Sequence, residues 1–253
     1  MSGRTILITG GSGKFGKMLV HHFLSAGDRV IATSRSDSSL TTMKSTYATF
    51  GDCFIGMRCD LTEEGSSAVL TSALTRDGIH PDCLINNARS LTYLKMEDDG
   101  SVSRAGFTGE LLLDVIAPYE LTMALAGQED GKLRRVVNIG SQYGTVAANI
   151  KLYEDPARQS SLHYSVAKAA LAHLTKELAV RLAPAGIQVN CVAFGGVEGR
   201  VDDAFKQRYA DLCPQGRMLQ DAEVAGPIDM LLSSHFSGMT GHVLAVDGGW
   251  TIW

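Results

Sequence analysis

Tyr164, Lys168 and, upstream of them, Ser141 carry the strongest chemical signal in the sequence. Tyr164 and Lys168 are four residues apart, so on a helix they share one face. An ammonium beside a phenol favours the phenolate and brings a weak acid toward the working range of a proton donor or acceptor. A hydride-transfer centre needs such a group at the carbonyl or carbinol oxygen, because proton and hydride leave separately.

A second signal lies at the start of the chain. Ile6-Leu7-Ile8-Thr9-Gly10-Gly11-Ser12-Gly13-Lys14-Phe15-Gly16 reads as strand, glycine-rich turn and helix. Such a turn lets backbone N–H groups approach a pyrophosphate at the positive end of the helix. Gly10, Ser12, Gly13, Lys14, Phe15 and Gly16 are therefore candidate cofactor contacts. The next apolar run, Val30–Thr33, ends in Ser34-Arg35 rather than in the acidic residue that holds the ribose 2′-hydroxyl of NAD. Serine and arginine accept a 2′-phosphate, and Lys14 adds a second positive charge nearby. The expected cofactor is NADP(H) rather than NAD(H), unless both bases are simply solvated surface residues.

These groups need a scaffold. Short apolar runs at Thr5–Thr9, Val30–Thr33, Cys53–Met57, Cys83–Asn86, Val136–Ile139, Val189–Val192 and Val243–Val246 alternate with helical patterns. Strands apolar throughout are buried on both faces, which predicts an α/β fold: a parallel sheet of about seven strands covered by helices on both sides. No linker or repeat interrupts the pattern, so residues 1–253 are expected to form a single domain. Thr145–Ser161 and Gly195–Arg200 read as loops. A hydrophobic content of 45% with 20% charged residues predicts a sizeable core rather than disorder. The net charge of −4 argues against nucleic-acid or membrane-surface partners and leaves a small-molecule substrate. Five cysteines without a Cys-x-x-Cys pairing, and no signal-peptide pattern, predict a reduced, cytoplasmic protein. No metal site is expected.

Taken in order, Thr9-Gly10-x-x-x-Lys14-Phe15-Gly16, Asp60-Leu61, Asn86-Asn87-Ala88, Asn138-Ile139-Gly140-Ser141, Tyr164-x-x-x-Lys168 and Val246-Asp247-Gly248-Gly249 resemble the motifs of the short-chain dehydrogenase/reductase family. The resemblance covers essentially the whole chain and implies a Rossmann-type doubly wound sheet. It also implies an oxidoreductase that interconverts a carbonyl and a secondary alcohol. By that resemblance Ser141 hydrogen-bonds the reacting oxygen and Tyr164 is the general acid/base. Lys168 both lowers the tyrosine pKa and holds the nicotinamide ribose. Asp60 and Leu61 lie at the adenine, Asn87 and Ala88 along the cofactor, and Gly195 to Val197 at the carboxamide.

The chain departs from the family pattern at several positions. Lys14 replaces the middle glycine of the turn, Arg89 the glycine after Asn-Asn-Ala, Phe194 a proline, and Gly199 a threonine. Asp114 stands where the catalytic tetrad has asparagine, a residue that holds a relay water chiefly through its backbone carbonyl. A buried carboxylate needs a partner, and Arg89 is the expected one; alternatively Arg89 holds a substrate anion. Twenty-three positions separate Ser141 from Tyr164, an unusually long interval for the family.

That loop begins Ser-x-Tyr-Gly and is similar to a subgroup acting on sugars or nucleotide sugars, including flagellin-modification and legionaminic-acid-type proteins. Tyr143 and Tyr153 are candidate sugar contacts, and Lys151, Arg158 and Arg200 candidate anion contacts. His163 reads as pocket rim or structure. A non-catalytic dinucleotide-binding sensor or assembly subunit, and an epimerase or dehydratase with retained cofactor, remain open alternatives. The apolar end, Gly249 to Trp253, suggests an exposed tryptophan pair seeking a partner surface. With the family resemblance it suggests a homotetramer or homodimer.

Overall fold

The structure is a computed structural model describing residues 3–199 and 201–252. The described residues form a seven-stranded parallel sheet in the order β3-β2-β1-β4-β5-β6-β7. Its strands are β1 (Thr5–Ile8), β2 (Arg29–Ser34), β3 (Phe54–Arg58), β4 (Cys83–Asn86), β5 (Arg135–Ser141), β6 (Gln188–Phe194) and β7 (Val243–Val246). All seven lie where the apolar runs placed them. The longer helices between them are α1 (Lys14–Ser25), α2 (Asp37–Thr46), α3 (Ser66–Arg76), α4 (Arg104–Leu111) and α5 (Ala117–Ala126). They are followed by the short α6 (Pro156–Gln159) and then α7 (Leu162–Leu182), α8 (Asp203–Leu212) and α9 (Ala225–Leu232).

The pleat sorts the apolar residues into two cores. Ile6, Val30 and Cys83 are in register across three strands, as are Ile8, Ala32 and Ile85, and these rows pack with Leu19, Val20 and Phe23 of α1. The row between them, Leu7, Ile31 and Leu84, faces the other side and packs with Leu70 and Leu74 of α3, Leu121 of α5 and Leu178 of α7. Each fully buried Leu, Ile or Phe side chain contributes about 1.5–3 kcal/mol, so two such layers hold the sheet between its helices.

One buried polar chain interrupts the apolar runs. Asn86 Nδ2 donates to Asn138 Oδ1 at 2.8 Å, Asn138 Nδ2 donates to Thr175 Oγ1 at 2.9 Å, and Thr175 Oγ1 donates to the Leu171 carbonyl at 2.9 Å. Satisfied inside the core, these groups specify position in a way that apolar contacts do not. They fix the register of α7, which carries Tyr164 and Lys168, against β4 and β5.

The sheet reverses its strand order between β1 and β4. Loops leaving the carboxyl ends of the strands there turn to opposite sides and open a crevice, the usual ligand position in such sheets. Among the described residues no helix is long and apolar enough to cross a membrane, and no group of side chains has the makings of a metal site.

Candidate active site

A cleft of about 860 Å³ occupies this crevice. Its floor is the glycine-rich turn, organised by Thr9. The Thr9 hydroxyl accepts from the Asn87 and Ala88 N–H groups at 2.9 Å each, and Asn87 Nδ2 donates to the Thr9 carbonyl at 2.8 Å. Gly10 has φ +66°, and a Cβ there would stand 2.8 Å from the Ala88 Cα, so only glycine fits. Gly13 precedes helix α1 as its N-cap and makes no side-chain cap, leaving the first-turn N–H groups free for an anion. Gly10, Ser12, Gly13, Lys14 and Phe15 all line the cleft. This cradle fits the pyrophosphate of a dinucleotide.

Two expectations for the turn need correction. Gly16 does not line the cleft; a Cβ at Gly16 would approach the Gly10 carbonyl and the Gly11 Cα, so its role is to let α1 pack beneath the turn. Lys14 is not a free cation for a 2′-phosphate. Its ammonium donates to the Glu198 carbonyl and pairs with Asp221 at 2.8 Å, bridging to the loop after β6. At the end of β2, Ser34 Oγ lies 3.1 Å from Ser12 Oγ, and Arg35 lines the cleft. Asp60, Leu61, Asn87 and Ala88 line it as well, with Gly195 and Val197 at the other end of the floor. Burial would raise Asp60, but hydrogen bonds from Thr62 and the charges of Arg35 and Arg58 hold its carboxyl below the usual range.

Ser141, Tyr164 and Lys168 line the same cleft. Ser141 ends β5 in an extended conformation, and its Oγ accepts from the Tyr143 N–H at 3.2 Å. Its hydroxyl proton is not committed to any described residue. Lys168 Nζ lies 5.7 Å from the Tyr164 ring centroid. It donates to the Ile139 carbonyl at 2.8 Å and to Asp114 Oδ1 at 2.9 Å, so this ammonium is fixed rather than swinging. With 6% of the Lys168 side chain and 3% of the Asp114 side chain exposed, this is a buried ion pair. Burial by itself pushes the lysine pKa down, but the Asp114 charge and hydrogen bond outweigh it and hold the pKa above its ordinary value.

The expected Arg89–Asp114 ion pair is therefore absent among the described residues. Asp114 lies inside a π-helical turn, Leu112–Ile116, between α4 and α5. The turn delivers its carboxylate to Lys168, the more deeply buried cation and the one in greater need of a counter-charge. Arg89 instead lies exposed at the cleft, its guanidinium carbon 4.7 Å from the Tyr164 ring centroid. Two cations thus lie close to the phenol ring.

Glu110, one turn before Asp114 and 2% exposed, joins this cluster without having been singled out in the sequence. Burial, reinforced by the Asp114 charge, pushes its carboxyl from 4.5 up to about 7, with Arg89 and Lys168 pulling the other way. Its spacing of four from Asp114 is the signal that marks it.

The Thr145–Ser161 segment forms one flank of the cleft's substrate end. It holds a short 3₁₀ turn, Ile150–Leu152, and α6. Leu152 packs with Tyr209, Met218 and Trp250, and Leu152 and Tyr153 line the cleft. The Tyr143 and Tyr153 hydroxyls lie 2.9 Å apart, and burial raises both phenols, so they are neutral hydrogen-bonding groups. Lys151 and Arg158 do not line the cleft, and Arg158 pairs with Asp155 at 3.6 Å. Arg200 and Trp253 lie outside the described residues. His163 is wholly buried, its Nε2 2.6 Å from the Tyr93 carbonyl, and is structural.

Trp250 corrects the expectation of an exposed tryptophan pair. It is 6% exposed and stacks on Tyr209 at 4.4 Å, and Tyr209 donates to Gln142 Oε1 at 3.0 Å and accepts from the Gly196 N–H at 2.9 Å. Trp250 thus stands behind Tyr209, which lines the cleft, while Ile252 is exposed.

Comparison with known proteins agrees with this geometry. A family model described as enoyl-(acyl carrier protein) reductase matches residues 14–251. The post-translational flagellin modification protein A of Campylobacter coli is 26% identical, covering 99% of each chain. A short chain dehydrogenase from Leptospira borgpetersenii, solved with bound NAD+, is 30% identical, with a TM-score of 0.86 over 99% of this chain and 94% of that one. The NADP active-site complex of RhlG from Pseudomonas aeruginosa is 27% identical, with a TM-score of 0.84 over 99% and 97%.

The buried cluster generates two expectations. Asp114→Leu strands the Lys168 charge and costs about 3–5 kcal/mol of stability in denaturant unfolding. Asp114→Asn, which still offers an acceptor, costs appreciably less; equal stability of Asp114→Leu and the parent chain would contradict the pair's importance. Glu110 favours its protonated form in the fold, so its contribution is present below 4.5 and is lost as pH rises to about 7. Glu110→Gln removes that loss, and the urea midpoint of the parent chain falls relative to the variant between those values. Parallel pH profiles would show that Glu110 does not titrate there.

Proposed function

Since the chain belongs to the short-chain dehydrogenase/reductase family, with similar structures that hold NAD+ or NADP, we propose that it is an NADP(H)-dependent oxidoreductase interconverting a carbonyl and a secondary alcohol. The observation that carries this reading is the convergence of Ser141, Tyr164 and Lys168 on one cleft with the glycine-rich turn.

In this reading Gly10, Ser12 and Gly13 with the first turn of α1 hold the pyrophosphate, and Ser34 and Arg35 hold the 2′-phosphate. The dinucleotide, when bound, supplies or accepts hydride at its nicotinamide. The uncommitted Ser141 hydroxyl donates to the reacting oxygen and orients the carbonyl. Tyr164 gives that oxygen its proton in reduction and takes it back in oxidation. Negative charge developing on the phenolic oxygen is stabilised by the Lys168 ammonium, which Asp114 and the Ile139 carbonyl keep in place. Asp114 thus acts as a positioning residue rather than as a proton donor.

The substrate in this reading is a sugar or nucleotide-sugar derivative. The paired Tyr143 and Tyr153 hydroxyls support it, as does the similarity to a flagellin-modification protein. The reading also includes a homo-oligomer, a tetramer by family resemblance, in the cytoplasm; solution mass tests the assembly.

With NADPH and a panel of keto-sugars, Tyr164→Phe is expected to abolish turnover while NADPH binding stays nearly intact. Loss of cofactor binding in that variant would assign Tyr164 another role, and activity confined to non-sugar ketones would remove the sugar reading. NADPH is expected to bind more tightly than NADH, and Arg35→Asp to weaken NADPH by about tenfold or more through loss of a charge-assisted contact. Comparable affinities for the two cofactors in the parent chain would overturn the NADP(H) assignment.

A further inference from the structure

The charges around Tyr164 do not balance. Lys168 and Asp114 neutralise each other at 2.9 Å. Lys14 is paired with Asp221 on the lip of the cleft. Asp60, the one carboxylate among the described lining residues, stands by Arg35 and Arg58 at the β2–β3 side. Arg89 alone at the Tyr164 end makes neither an ion pair nor a hydrogen bond to any described residue. Glu110, whose carboxyl feels the Arg89 charge, is buried and shifted toward its neutral form.

The position of Arg89 adds direction to this charge. The guanidinium carbon lies over the Tyr164 ring, 4.7 Å from its centroid, and none of the Arg89 N–H groups is taken by a described residue, so they are available to a ligand. A planar fork of this kind matches a carboxylate through two parallel hydrogen bonds. The rest of this end is uncharged, with Leu91, Leu152, Tyr153 and Phe205 along the walls.

We infer that Arg89 is a substrate-anion site, and that the substrate carries a carboxylate one or two carbons from the carbonyl or carbinol carbon that reacts at Tyr164. The closeness of the guanidinium to the phenol ring sets that short spacing, and a longer substrate would carry its charge past Arg89. This deepens the oxidoreductase reading and rests on it: the substrate is an oxo acid or hydroxy acid, including an acidic sugar.

The test compares acids with their neutral partners in the full chain with NADPH. Pyruvate is set against methyl pyruvate, acetoacetate against methyl acetoacetate, and dihydroxyacetone phosphate against dihydroxyacetone. The expected result is a kcat/KM ratio of acid to ester above one, carried mainly by KM. Arg89→Gln should reduce that ratio by about ten- to hundredfold, and Arg89→Lys should restore it only in part. Arg89 is exposed, so both variants should fold, which their circular dichroism checks. Esters reduced as well as acids, or a ratio that Arg89→Gln leaves unchanged, would overturn the proposal. A preference confined to dihydroxyacetone phosphate would overturn its carboxylate form.

Calorimetric titration of malonate into the NADP+-loaded protein gives a readout independent of turnover. Binding that weakens in Arg89→Gln supports the anion site even if no carbonyl tried is reduced; no binding, or equal binding, refutes it. Conversely, reduction of esters that depends on Tyr164 without preference for acids would refute the anion site while sparing the oxidoreductase reading.

Discussion

Everything at the chemical end of this molecule hangs on a lysine buried where an ammonium does not belong. Removing a charge from water costs several kcal/mol even after the protein relaxes, and only a close opposite charge with further hydrogen bonds offsets it. Lys168 finds both, in Asp114 and in the Ile139 carbonyl. The pair then constrains its surroundings. The helix before α5 must adopt a π turn to deliver Asp114, β5 must present a carbonyl, and α7 must sit at one register on the sheet. That register is held separately by the amide–hydroxyl chain running from Asn86 through Asn138 to Thr175. Two independent polar devices therefore place Tyr164, one acting at the ammonium and the other seven residues beyond it on the same helix.

The same constraint explains the division of labour between the two cations beside the phenol. Lys168 is satisfied and immobile, so it supplies a fixed field. Arg89 is exposed and unspent, and stays available to whatever enters the cleft. Glu110 is close enough to feel both, and its displacement toward neutrality means that it offsets them only in part. Burial first, and the Asp114 charge second, raise the Glu110 carboxyl to about 7, so near neutral pH it is divided between its two forms.

Most of the scaffold was legible in the sequence because its determinants are local. Runs such as Cys83–Ile85 and Val243–Val246 are apolar at every position, so their reading as parallel strands needed no tertiary knowledge. The glycine turn and the Tyr164–Lys168 spacing were legible for the same reason. What escaped was pairing. Asp114 was visible as a carboxylate in need of a partner, but its choice of Lys168 over Arg89 depends on a π turn that no periodicity reveals. Lys14 looked free until the loop after β6 supplied the Glu198 carbonyl and the turn between α8 and α9 supplied Asp221. Trp250 looked exposed because a chain end gives no hint of Tyr209, forty-one positions earlier, waiting beneath it.

That last contact has a consequence for how this cleft changes over evolutionary time. Trp250 supports Tyr209, and Tyr209 in turn holds Gln142 and the Gly196 backbone at the edge of the cavity. A substitution near the end of the chain can thus reshape the mouth without altering any residue that a ligand touches. The Trp250–Tyr209 stack is an adjustable hem on the binding site, through which selectivity can drift while the proton-transfer machinery stays as it is.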